Sequence, residues 1–252
     1  MSKISRRKLL TTGLVAAAGA TGLGVAAKLA ERYGLIPPDA GVLYGAGETL
    51  TYAAQRLFAR HSLAPEFAPR QISKDPFANP VSPLGADFQR SQQGGFADWR
   101  LAVDGMVPRP VSFSMAQLKS FPRSTQITMT ACEEGWSYIA EWSGPPLAHI
   151  LDLAGALPQA RYVVYRSFQP DWWDSIDMAD ALHLQTLLAV GMNGGELPVP
   201  FGGPLRLRIP RQLGYKNVKY ITRLTLTDNL KQFGKGLGSA SPEGGYAWYA
   251  GI

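Results

Sequence analysis

With one cysteine in 252 residues, Cys132, this chain has no internal disulfide open to it. Histidine is nearly as scarce. His61, His149 and His183 lie far apart, and none sits at metal-ligand spacing from another histidine or from the cysteine, which argues against a zinc hydrolase. No glycine-rich stretch follows a strand pattern and opens a helix with a Walker lysine, because Gly234-Lys235-Gly236-Leu237-Gly238 falls in a polar tail. Heptads and internal repeats are absent, and charged residues make up only 17% against 46% hydrophobic ones, so a sizeable core is expected. The one long apolar run, Leu9 to Ala27, is diluted by four glycines and by threonines, and no second such span follows it.

Ahead of that run stands Ser5-Arg6-Arg7-Lys8-Leu9-Leu10, the pattern of a twin-arginine export signal. Residues 1–30 contain no acid, and their five cations account for most of the net charge of +6. The rest of the chain is close to neutral, so the basic balance gives no reason to expect a nucleic-acid partner. Export through the Tat translocon to the periplasm is expected, with cleavage near Ala27 or Ala30 and a soluble mature protein. That route carries folded cargo, and the usual reason to fold first is a cofactor that must be enclosed before export.

Glu48 to Arg60 places Leu50, Ala53, Ala54, Leu57 and Phe58 on one side of a short helix. Leu63 to Gly95 has no clear periodicity and reads as a long loop. Trp99 to Val103 is a strand entering a turn at Asp104-Gly105, and Ser114-Met115-Ala116-Gln117 is a capping box opening a helix. Thr125 to Ala131, rich in β-branched residues, predicts a buried strand with Cys132 at its end. Ser143-Gly144-Pro145-Pro146 opens a helix that Gly155 can end. Tyr162 to Tyr165, Leu188 to Met192, Leu205 to Ile209 and Val218 to Thr227 read as strands, with Asn193-Gly194-Gly195 a hairpin turn. The fold class expected is α+β, mostly β with short helices.

Two features bear on chemistry. A lone cysteine is often just a small buried hydrophobe. In an exported chain a free thiol is also an oxidation liability, and a sulfur bound to a soft or high-valent metal is the other reading. The second feature is a run of cations, with Arg206 and Arg208 on one face of a strand and Lys216 and Lys219 following Gly214. They could protect a solvated edge strand or grip an anionic phosphate.

Thr130-Ala131-Cys132-Glu133-Glu134-Gly135-Trp136-Ser137, Trp142-Ser143-Gly144-Pro145-Pro146-Leu147, and Gly203-Pro204-Leu205-Arg206-Leu207 through Gly214-Tyr215-Lys216-Asn217-Val218-Lys219 resemble, in order, the sulfite oxidase superfamily of molybdopterin enzymes. The nearest branch looks like the one that includes the catalytic subunit of periplasmic methionine sulfoxide reductase. The resemblance implies a sulfite oxidase-type fold holding one Mo-molybdopterin, with Cys132 as the metal's protein ligand. It implies cofactor contacts from Arg90, in Phe88-Gln89-Arg90-Ser91, and from Arg206, Lys216 and Lys219; Arg208 matches no position of the pattern. The division expected is 1–30 export signal, 31–84 N-terminal extension and loop, 85–230 catalytic domain and 231–252 tail.

Sulfite-oxidising members place basic residues after the cysteine, whereas Glu133 and Glu134 follow it here. Carboxylates there repel a dianion, and Glu134 matches the acidic position of the sulfoxide reductase-like branch, either catalytic or orienting its loop. Without a haem domain in the chain, electrons are expected from a separate protein, a membrane cytochrome b being one form. The expected activity is oxygen-atom transfer that reduces an S- or N-oxide. Oxidation of sulfite or another small molecule, and a non-catalytic exported binding domain, are the alternatives. Tyr138, Tyr215, Trp172 and Trp173 are candidates to line the pocket. Tyr246, Trp248 and Tyr249 either pack on the body or dock a partner.

Overall fold

Ser114 and Gln117 satisfy each other's free amides as their spacing demands. Gln117 N–H donates to Ser114 Oγ at 3.2 Å and Ser114 N–H to Gln117 Oε1 at 2.9 Å, opening a helix over Met115–Ser120. The computed structural model describes Lys28, Ala30, 33–42 and 44–252; the export signal expected at 1–30 therefore lies, but for two residues, outside the described part.

The helices are α1 (Gly45–Phe58), α2 (Gly85–Gln93), α3 (Met115–Ser120), α4 (Leu147–Ala154), α5 (Met178–Ala181) and α6 (Ala240–Glu243). The strands are β1 (Arg100–Gly105), β2 (Val111–Ser114), β3 (Ser124–Ala131), β4 (Ser137–Gly144), β5 (Tyr162–Ser167), β6 (Trp173–Asp177), β7 (Leu187–Ala189), β8 (Gly191–Met192), β9 (Gly195–Glu196), β10 (Arg206–Arg208) and β11 (Ile221–Thr227). One sheet runs β2-β1-β11-β5-β6, with β1 and β11 parallel; a second runs β3-β4-β8-β9; β7 and β10 form an antiparallel pair. The main core lies under the first sheet, where Leu101, Val103, Val163, Leu224 and Leu226 meet α4 through Ile150 and Leu151. This is the α+β, mostly β arrangement with short helices that the residues predict.

Local signals hold where they are strongest. Gly155 takes φ +72° and ends α4, and Asn193 and Gly194, at φ +50° and +78°, form the turn between β8 and β9. Gly144 ends β4 where the β7 backbone crosses it. A Cβ there would lie 1.9 Å from Leu188 O, so only glycine allows the second sheet to meet the β7/β10 pair.

Two expectations are corrected, and two strands lie outside what the pattern predicts. The segment 63–95 is not all loop, because it holds a short 3₁₀ turn at Pro69–Gln71 and α2. α2 escaped notice because its contact with the core is mainly one aromatic ring, Phe88, packed edge-on against Phe96, Trp99, Phe168 and Tyr220. β3 is an edge strand with alternating burial rather than a buried one. β4 and β6 were not read as strands at all.

The helix expected over 48–60 is present as α1, and its apolar stripe faces outward. Its buried side chains are Tyr52 and Arg56. Arg56 Nε lies 2.6 Å from Asp177 Oδ2 and its Nη2 2.7 Å from Asp180 Oδ2, while Tyr52 donates to Asp177 at 2.7 Å. Arg211 reaches the same Asp180 and donates to Ala59 O and Arg60 O just past the helix's end. Buried charge thus attaches α1 to the body. Arg56→Met would leave two buried carboxylates short of their partner and should cost about 3–5 kcal/mol in urea unfolding. Leu50→Ser, on the exposed side, should stay within about 0.5 kcal/mol of the parent.

Candidate functional site

β3 delivers Cys132 into a tight loop. Cys132 N–H donates to Trp136 O at 2.9 Å and Gly135 N–H to Cys132 O at 3.1 Å, with Gly135 at φ +91°. The thiol opens onto a cavity of about 400 Å³, within the usual range for ligand sites. Its Sγ lies 3.1 Å from Glu133 Oε2. Burial pushes the thiol up to about 12; a hydrogen bond from the Glu134 backbone opposes that rise and the Glu133 carboxylate adds to it. The sulfur therefore keeps its proton until a metal displaces it. Glu134 Oε2 accepts from Trp136 Nε1 at 2.7 Å, and the Trp136 ring stacks on Tyr138.

The cationic part of the cavity wall comes from β10 and the turn after it. Arg206, only 4% exposed, donates from Nε to Asn217 O and from Nη1 to Phe201 O, each at 3.0 Å, and Nη2 has no hydrogen bond among the described residues. Lys219 Nζ donates to two backbone carbonyls, Asn79 O at 2.7 Å and Pro200 O at 2.6 Å. Neither cation has a carboxylate within ion-pair distance among the described residues. Burial, with the Arg206 charge second, brings Lys219 down to about 7. Two desolvated cations lacking an acid make a receptor for an anion. Gly202, at φ +108°, makes room for both: a Cβ there would sit 3.0 Å from Lys219 Cβ and 3.2 Å from Arg206 Cβ.

The residues singled out in the sequence divide into two groups. Cys132, Glu134, Arg206 and Lys219 line this cavity together with Tyr138, Tyr215 and Trp172. Arg90, Lys216 and Trp173 do not line it. Arg90 is exposed on α2 and pairs with Asp87 three residues before it. Lys216 is fully buried and turned away to Asp174 and to Ser175 O, with the Trp248 ring 5.2 Å off. Trp173 belongs to the cluster around Tyr52, Tyr162 and Trp248. Arg208 is also sealed, bonded to Asn217 Oδ1, Thr128 Oγ1 and Met129 O. The cation run thus splits, with two residues facing the cavity and two serving the interior.

Two walls were not legible. Ala78 to Ser82, from the aperiodic segment, form one; Ala240, Ser241, Gly244 and Tyr246 form another. Trp248 and Tyr249 pack inside, so this part of the tail belongs to the body. Ser241 donates to Asp174 Oδ2 at 2.7 Å, which makes Asp174 the link between Lys216 and the tail.

Molybdopterin joins an anionic phosphate to a metal-binding pterin. The donor set fits it: a thiol for the metal and two unpaired cations for the phosphate share one cavity, and no cluster of three metal-ligating side chains competes among the described residues.

Comparison with known proteins agrees with this fit. A family model described as an oxidoreductase molybdopterin-binding domain matches residues 89–233. A relative from Azospira oryzae, provisionally named protein-methionine-sulfoxide reductase subunit YedZ1, is 37% identical over 195 residues, covering 77% of this chain and 70% of that protein. Among solved structures, the sulfane dehydrogenase SoxCD of Paracoccus pantotrophus matches with a TM-score of 0.52 at 23% identity. That match covers 68% of this chain and 46% of the other, so the likeness is one of fold and the chain spans about half of that structure.

In cofactor-free protein, sulfate stands in for the phosphate without titrating near neutrality. Its affinity, measured by calorimetry, should fall as pH rises through about 7, where Lys219 loses its proton. Lys219→Met should weaken binding and remove most of that dependence.

Proposed function

The chain belongs to the family of oxidoreductase molybdopterin-binding domains and is a molybdopterin-dependent oxidoreductase, and from that premise we propose that it is exported to the periplasm and there reduces an S- or N-oxide, a methionine sulfoxide-type group before others. A separate redox protein, such as a membrane cytochrome b, supplies the electrons. The non-catalytic alternative falls with the family assignment.

One observation carries the choice of substrate class: the cavity's charge is divided, with two carboxylates next to the thiol and two cations elsewhere on the wall. A dianion such as sulfite would meet Glu133 and Glu134 at the metal. A sulfoxide is a neutral dipole and meets no such repulsion, and its apolar arms can lie against Trp136, Tyr138 and Tyr215. The relative's name, with its sulfoxide reductase and its word subunit, supports both the substrate class and the separate electron donor. Ser5-Arg6-Arg7-Lys8 supports export.

The bound cofactor supplies two-electron oxygen-atom exchange at the metal. This chain's residues hold it and manage protons. Arg206 and Lys219 take the phosphate, and binding an anion holds the Lys219 proton in place. Cys132 would hold the metal as its thiolate, and Glu133 Oε2, 3.1 Å from the sulfur, is the acceptor at hand for the thiol proton. Reducing a sulfoxide consumes two electrons and two protons and yields a sulfide and water. Glu134, steadied by the Trp136 indole, lines the cavity two residues from Cys132 and is the carboxyl that would pass one of these protons.

Protein from a host that makes the cofactor should carry about one molybdenum per chain by elemental analysis, and Cys132→Ala should lose most of it. With reduced viologen as donor, methionine sulfoxide should be turned over, and Glu134→Gln should lower kcat roughly 10²-fold or more while molybdenum content stays. Sulfite-dependent reduction of acceptor dyes without sulfoxide reductase activity would overturn the reading.

A further inference from the structure

The orientation of α1 is unusual for a surface helix. Its two charged residues are turned away from solvent: Arg56 is buried on Asp177 and Asp180, and Glu48 lies inward beside Asp39. The exposed face carries Leu50, Thr51, Ala54, Leu57 and Phe58 without one charge. Leu50, Leu57 and Phe58 are 70, 59 and 86% exposed. Beyond the helix's end the patch continues to Leu182 and Leu184, 50 and 65% exposed, which share a small cavity with Arg60 and His61. A surface helix normally buries its apolar stripe, so this one has its stripe set aside for contact with something else.

Two further observations say what covers it. The margin is basic where Arg60 stands: it lines the larger cavity beside Leu57 and the smaller one beside His61, and it has no carboxylate within ion-pair distance among the described residues. In addition, Tyr33, 70% exposed, lines the larger cavity with Leu57, so the apolar surface extends to an aromatic side chain of the kind that suits a bilayer interface. Leucine and phenylalanine on a helix face with arginine at its margin is the composition of a helix that lies in a bilayer interface, apolar side in the acyl boundary and cations among anionic headgroups.

We infer that the outer face of α1, continued by Leu182 and Leu184, docks this protein onto an anionic lipid surface. A catalytic subunit held there meets a membrane-bound electron donor by diffusion in two dimensions, without α1 having to contact that donor. The inference stands on α1 alone and survives if the cavity's substrate proves different.

The test is lipid photocrosslinking. A benzophenone amino acid replaces Ala54 in the full chain, which is irradiated with phosphatidylcholine vesicles with and without phosphatidylglycerol. Lipid adducts are expected, more with phosphatidylglycerol, falling roughly fivefold or more in Leu57→Ser/Phe58→Ser and decreasing with salt in the parent. Arg60→Glu, which keeps the apolar face, should lower the adduct yield as well. Viologen-linked activity should be unchanged in all of these variants. An adduct at twice the chain mass would assign the face to a second copy, and one to another protein would assign it to a protein partner. Either result, the absence of any lipid adduct, or lipid adducts indifferent to both substitutions would overturn the inference.

Discussion

Arg208 sets the distance between the two halves of the cavity. Its guanidinium is sealed from water and donates to Thr128 Oγ1 at 3.2 Å and Met129 O at 2.5 Å on β3, and to Asn217 Oδ1 at 2.7 Å in the turn after β10. β3 carries Cys132 and that turn leads to Lys219, so one side chain ties the metal ligand to the phosphate cations. Burying a guanidinium with only neutral acceptors is costly, and burial with the Arg206 charge brings it down to about 9. It still holds its charge at neutral pH. Asn217 completes the joint by accepting from Ile209 N–H and donating to Gln212 O and Leu213 O, which leaves its amide fully used.

The same device, a buried charge used as a fastener, recurs twice. Arg56 attaches α1 through Asp177 and Asp180, and Lys216 attaches the tail through Asp174 and Ser241. Both fasteners hold segments outside the central strands, and the second holds a wall of the cavity. Such pairs contribute little net energy beyond what apolar packing of equal volume would give, but breaking one is expensive. They favour one arrangement over near alternatives. Around the cavity that matters, because the cofactor site depends on position more than on total stability.

Part of this was legible beforehand, and the reason is local. The Ser114–Gln117 box, Gly155 and Asn193-Gly194 announce themselves because capping and left-handed turns are decided within a few residues. Cys132 at the end of a β-branched run was visible for the same reason. β6 and α2 were not, since a short strand buried along its whole length has no alternation and a helix with one core aromatic has no stripe. α1 was legible as a helix but not in its orientation, because periodicity marks an apolar face without saying what covers it.

By itself the sequence determined the chemistry available: one thiol, a pair of acids beside it, a set of cations some seventy residues on, and the motifs that join them to a molybdopterin family. Only the tertiary structure decided which cations face the cavity. Arg206 and Arg208 are two residues apart on β10, and both guanidiniums lie over Trp142, at 5.3 and 5.4 Å from its ring. Arg206 nonetheless opens to the cavity while Arg208 is locked under β3, and Lys219 opens to it while Lys216 is bound by Asp174. The physical reason is that a charge leaves solvent only where a partner waits, and Thr128, Met129 and Asp174 are brought there by strands distant in the chain.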